Sequence, residues 1–154
     1  MKLKIAWIGK TKEPAIASLT DEYLSRISRY VQVEAAALRD EAALLDMYGR
    51  ATNASRVAKS RAEATLVLMD SKGKEFSSES FARFLGDYRD RNSLPLAFAI
   101  GPADGFSETA HKEAQHVISL GKMTLAHELA RVVLLEQIYR AFTILSGHPY
   151  HSRH

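Results

Sequence analysis

Two short apolar runs, residues 65–70 (TLVLMD) and 94–100 (LPLAFAI), constrain this chain more than any other feature. Neither alternates between apolar and polar positions, which is the pattern of a strand buried on both faces. Weaker strand signals lie at residues 2–9, 31–38 and 116–120. Helical spacing fills the gaps. Residues 14–30 begin at Pro14, which suits a first helical turn, and carry Ile16, Leu19, Tyr23, Leu24 and Ile27 on one side. Residues 39–64 read as a second helix, with Gly49 and Asn53 as possible breaks. Ser77 or Ser78 caps a third helix through Arg91, Ser107 caps a short fourth, and residues 125–145 form a long fifth. The order β-α-β-α-β-α-β-α-β-α predicts an α/β fold. Its sheet is mainly parallel, with helices on both faces, in one domain over residues 1–154.

Sheets of this kind bind ligands beyond the carboxyl ends of their strands. The loops after Asp70, Ile100 and Leu120 therefore meet on one rim. Gly101, Gly105 and Gly121 follow strands there. Each alone reads as turn chemistry, and three on one rim make a cradle. No G-x-G-x-x-G or Walker loop occurs, which argues against dinucleotides and triphosphates. Asp70 and Asp104 have two readings: turn capping or pairing with Lys72 or Lys74, or contact with a cationic ligand or its ribose.

Other chemistries are removed by what the sequence lacks. Without cysteine there is no thiolate nucleophile, disulfide or cysteine zinc site. The histidines form no H-E-x-x-H, and His148 with His151 lacks a third ligand, so no metal site is expected. No G-x-S-x-G elbow is present. A net charge of +3 permits a nucleic-acid partner without requiring one. Arg50, Arg56, Lys59 and Arg61 read as a solvated helix face before an RNA contact. Arg131 and Arg140 are spaced to pair with Glu128 and Glu136. The start, MKLKIAWIGK, reads as a strand and not as a leader, and no apolar run nears the ~20 residues of a membrane span. A soluble, cytoplasmic protein is expected.

Several segments together resemble the RlmH family, small SPOUT-class methyltransferases of large-subunit ribosomal RNA. They are IGPADGFS, SLGKMTLAHELARVVLLEQIYRAFTIL, GHPYH, LMDSKGKEFSSESFA and the opening MKLKIAWIGK. The likeness covers essentially the whole chain. It implies a deep C-terminal trefoil knot of the SPOUT type, which general topology rules would not suggest. It also implies a homodimer, S-adenosylmethionine (SAM) as methyl donor, and methylation at N3 of a pseudouridine in 23S rRNA of the assembled ribosome. Carried over position by position, the donor pocket involves Met69, Gly101, Leu120, Gly121, Lys122, Met123, Thr124 and Leu125. Main-chain groups of the last loop would read the adenine edge, between the apolar side chains.

Tyr150 and His151 stand on the acceptor side. The tyrosine would stack on the base and the histidine would take its proton. Arg131, Arg153 and Lys122 are candidates for RNA contact. The chain departs from the family at Pro102, where a second glycine is usual. It departs also at Gly121 (often serine), Ala126 (often proline) and Ser152, which precedes Arg153. A non-catalytic module that binds SAM or a nucleotide on the ribosome is the alternative these departures leave open. A flavodoxin-like phosphate binder is a third reading.

Overall fold

The structure is a computed structural model that describes residues 1–49 and 64–153, Arg153 by its backbone alone. Its elements run β1 (Lys2–Ile8), α1 (Pro14–Ser28), β2 (Gln32–Leu38), α2 (Glu41–Tyr48) and β3 (Thr65–Glu75). Then come α3 (Ser78–Arg91), β4 (Leu96–Ile100), α4 (Glu108–Glu113), β5 (His116–Ser119) and α5 (His127–Ser146), closed by a 3-10 turn at His151–Arg153. The strands make one sheet in the order β2-β1-β4-β3-β5. Every pairing is parallel.

Strand alternation divides the core in two. Leu3, Ile5, Trp7, Val67, Leu96, Phe98 and Ile100 point to the side where α1, α3 and α5 pack. Ala6, Leu66, Leu68, Ala97 and Ala99 point to the side of α2 and α4, against Leu44, Leu45, Tyr48 and Ala110. Both faces of β3 and β4 are covered, which explains their unbroken apolar sequence. Full burial of side chains such as Leu66, Leu68 and Phe98 stabilises the fold by about 1.5–3 kcal/mol each. Tyr88 adds a polar staple. Its hydroxyl donates to one of Thr65 Oγ1 (2.8 Å) and the Leu94 carbonyl (2.9 Å). Desolvation raises the pKa of this phenol.

Two expectations need correction. The helix expected over residues 39–64 starts later, capped by Asp40, whose side chain accepts from the Ala43 N–H. It ends at Tyr48, capped by Gly49, one of the breaks expected, and residues 50–63, with the basic face expected there, lie outside the described residues. The turn expected at residues 71–74 is part of β3. Ile118 is paired with Met69 and again with Lys74, so Asp70 to Gly73 form a bulge that pushes the chain toward the rim. Gly73 permits it: a Cβ there would lie 2.6 Å from the backbone nitrogen of Ile118.

Candidate functional site

The bulge in β3 and the loops after β4 and β5 enclose a cleft of about 370 Å³ with the first turns of α5. Each loop is shaped locally. Within the β3 bulge, Asp70 Oδ1 accepts from the Lys72 N–H at 2.9 Å. After β4, the Gly105 N–H closes a turn onto the Pro102 carbonyl at 2.9 Å, with Gly105 at φ +86°. Ser107 then caps α4 and donates from Oγ to Glu41 Oε2 at 2.6 Å, which ties the loop to α2. After β5, Gly121 adopts φ +137°, and its N–H and C=O both meet the Ser119 hydroxyl, at 3.0 and 2.8 Å. Only glycine takes that backbone conformation without strain.

The cleft gathers Met69, Gly101, Leu120, Gly121, Met123, Thr124 and Leu125, seven of the eight positions expected to hold a donor. Lys122 is exposed and does not line it. Met123 is 85% exposed, so it stands at the lip. Gly101 is buried, and a Cβ there would come within 2.9 Å of the Phe106 ring. That close approach is what keeps this wall thin. Met69 and Leu120 also border a second recess of about 190 Å³ between α3 and α5.

Sequence reasoning missed His111. Its Nδ1 lies 2.8 Å from the Ser107 carbonyl, an acceptor only, so Nδ1 carries the proton. Its Nε2 faces Asp70 Oδ2 at 3.2 Å inside the cleft. The signal was present: a helix capped at Ser107 puts His111 one turn on. Asp70 thus caps a turn, one of the readings weighed for it, and it also lines the cleft. Asp104 and His127 line it as well.

Tyr150 and His151 are placed elsewhere. The α5 helix has 20 residues and is therefore about 30 Å long. Its N-terminal turn borders the cleft, and the tail, which runs back to Glu136 and Arg140 in mid-helix, turns at its far end. There Gly147 takes the left-handed conformation at φ +74°, and the His148 N–H bonds the Thr143 carbonyl at 2.9 Å. Tyr150 packs edge-on against Tyr139 at 4.8 Å, under the Arg140 guanidinium, and donates to Glu136 Oε1 at 3.1 Å. Arg140 pairs with the same oxygen at 2.5 Å. Desolvation and the Glu136 carboxylate push the Tyr150 pKa up to about 12, so it remains a neutral phenol. His151 lies between Arg140 and Glu79.

The two arginines differ. Arg140 meets Glu136 as its spacing predicts. Arg131 makes no ion pair with Glu128. It has no exposed surface, which does not suit the RNA contact expected of it. Its Nη1 donates to Thr11 Oγ1 at 2.8 Å and its guanidinium lies over Trp7 at 4.9 Å. Glu128 Oε1 instead accepts the N–H groups of Lys12 (2.7 Å) and Glu13 (3.4 Å), and the Lys12 bond is the main cause of its lowered pKa. The Arg153 side chain lies outside what the structure describes. Among the described residues no group of acidic or histidine side chains could hold a metal, and no helix is long and apolar enough to cross a membrane.

Comparison with known proteins bears on this arrangement. A family model described as a predicted SPOUT methyltransferase matches residues 1–151. The chain is 54% identical over 154 residues to ribosomal RNA large subunit methyltransferase H of Koribacter versatilis, covering all of both chains. It is 43% identical over 152 residues to the protein of the same name from Geotalea daltonii, covering 98% of this chain and 99% of the other. Among solved structures, the SpoU methyltransferase AviRb from Streptomyces viridochromogenes, in complex with AdoMet, matches with a TM-score of 0.49 at 13% identity. That match covers 90% of this chain and 57% of the other, and no inference rests on it.

Proposed function

The chain belongs to the SPOUT methyltransferase family, and from that premise we propose that it is a SAM-dependent methyltransferase of large-subunit ribosomal RNA. The observation that carries this reading is the convergence of Met69, Gly101, Leu120, Gly121, Met123, Thr124 and Leu125 on one cleft. Its shape suits an adenosyl group: apolar side chains for the ring and exposed main-chain groups for its edge. SAM brings a methyl group already activated on sulfur. The protein's task is to align it with a ring nitrogen and accommodate loss of the imide proton. The finer target, N3 of a pseudouridine in 23S rRNA of the assembled ribosome, is proposed on the family resemblance, as is the trefoil knot. A ribosomal target would place the protein in the cytoplasm.

We propose a homodimer for a geometric reason. Tyr150 and His151 sit against Glu136 and Arg140 and do not line the cleft of their own chain, whereas the tail of a second copy can meet it. In that arrangement Tyr150, held neutral, stacks on or donates to the base. Glu136 and Arg140 fix its direction. His151 remains the candidate proton acceptor, and its Nδ1 must first leave Arg140. Basic side chains such as Lys122 and Arg153 would meet RNA backbone.

Transfer of a tritiated methyl group to ribosomes tests this function. The reading expects incorporation into 23S rRNA at a single base, located by mass mapping against ribosomes not exposed to the protein. SAM binding with no transfer to ribosomes would favour the non-catalytic module.

A further inference from the structure

Arg131 departs from the usual rule for buried charge. A guanidinium stays protonated, so its charge normally finds a carboxylate when buried. Here the side chain has no exposed surface, and Nε and Nη2 meet no acceptor. Trp7 Nε1, whose ring lies against the guanidinium, also lacks an acceptor. Glu128 turns Oε1 to the N–H groups of Lys12 and Glu13 and, though near enough to favour the guanidinium charge, bonds neither Nε nor Nη2. Three enclosed donor nitrogens, Arg131 Nε and Nη2 and Trp7 Nε1, therefore share one small region without an acceptor, and only a fourth, Arg131 Nη1, is used, by Thr11.

The unused pair matters. Nε and Nη2 form the edge through which arginine grips an oxyanion with two parallel hydrogen bonds. We propose that this edge, with Trp7 Nε1, is the seat of the donor's α-carboxylate. The proposal rests on the donor reading above and extends it to the amino-acid end of the molecule. The place fits. Ala130, the residue before Arg131, lines the cleft, and so does Ile100, which pairs with Trp7 across β1 and β4. Arg131 and Trp7 do not line the cleft themselves but lie directly behind that wall, so only a small flexible group can reach them from it. An RNA phosphate, tethered by a nucleotide on each side, cannot. Of the donor's charged groups only the carboxylate matches donors; its sulfonium and ammonium would be repelled. Arg131 becomes a donor-binding residue.

Calorimetric titration with SAM and with decarboxylated SAM tests the assignment. Trp7 is the only tryptophan in the chain, so its emission reports on the site directly. Wild-type protein is expected to bind SAM at least about tenfold more tightly than the decarboxylated compound. SAM should change Trp7 emission and decarboxylated SAM should not. R131Q should bind both compounds alike, through loss of SAM affinity. Equal affinity of the wild type for the two compounds overturns the proposal, with water satisfying the donors instead. So does a preference retained in R131Q. If R131Q fails to fold, the wild-type affinity ratio and Trp7 emission decide alone. Binding of neither compound overturns the donor reading together with this one; binding without preference overturns only this one.

Discussion

Arg140 donates from Nη1 to Nδ1 of His151 at 3.1 Å. Arginine has no acceptor, so Nδ1 must offer its lone pair and the proton must sit on Nε2, which donates to Glu79 Oε1 at 2.8 Å. The contacts thus fit one tautomer of His151, and the Glu79 carboxylate is shifted down by the bond it accepts. His151→Ala is expected to lower the single-turnover rate by about 100-fold with donor affinity unchanged, the range for loss of a general base. An unchanged rate would remove His151 from the chemistry.

That Tyr150 and His151 do not line the cleft of their own chain predicts complementation. A His151→Ala chain and a Gly101→Phe chain should each be inactive as homodimers. Mixed, they should recover about a quarter of wild-type activity, because half the dimers then hold one intact site of two. Recovery that stays at zero, with mixed dimers confirmed by mass, would mean that the tail serves no partner cleft.

Gly73 lets the β3 bulge approach the β5 backbone. Gly73→Ala would place a methyl 2.6 Å from Ile118 N and from the Val117 carbonyl carbon. Backbone cannot rotate away as a side chain does. The expected loss is about 2–3 kcal/mol in denaturant unfolding, the upper range for overpacking. A loss under about 0.5 kcal/mol, as for an ordinary surface change, would mean that the bulge relaxes freely.

Glu128 ties the start of α5 to the loop before α1, and its pKa lies below the ordinary carboxylate value of 4.5 in the folded protein. A carboxylate depressed on folding stabilises above its unfolded pKa, and that contribution is lost as pH falls through the folded one. Glu128→Gln should therefore melt at a lower temperature than wild type at pH 7. The gap should close as the pH falls from about 5 toward 3. A gap independent of pH would show that the carboxylate's charge is not what holds the loop.

The sequence alone was enough for elements and layers. TLVLMD and LPLAFAI can only be strands covered twice, Ser77 and Ser107 announce helix starts, and the glycines after β4 and β5 mark the rim. These are local properties, expressed within a few residues of the positions that carry them. Other features depended on distant partners. SKGK reads as a turn because nothing nearby says that Gly73 will lie against Ile118. Arg131 reads as a surface cation three residues from Glu128, whose carboxylate the fold gives to Lys12 and Glu13. HPYH names an aromatic and an imidazole without saying where they go. Local chemistry set which strands and helices exist and which loops meet. Tertiary packing alone decided which charges are buried, which backbones touch, and where along α5 the tail comes to rest, because those depend on residues brought together from far along the chain.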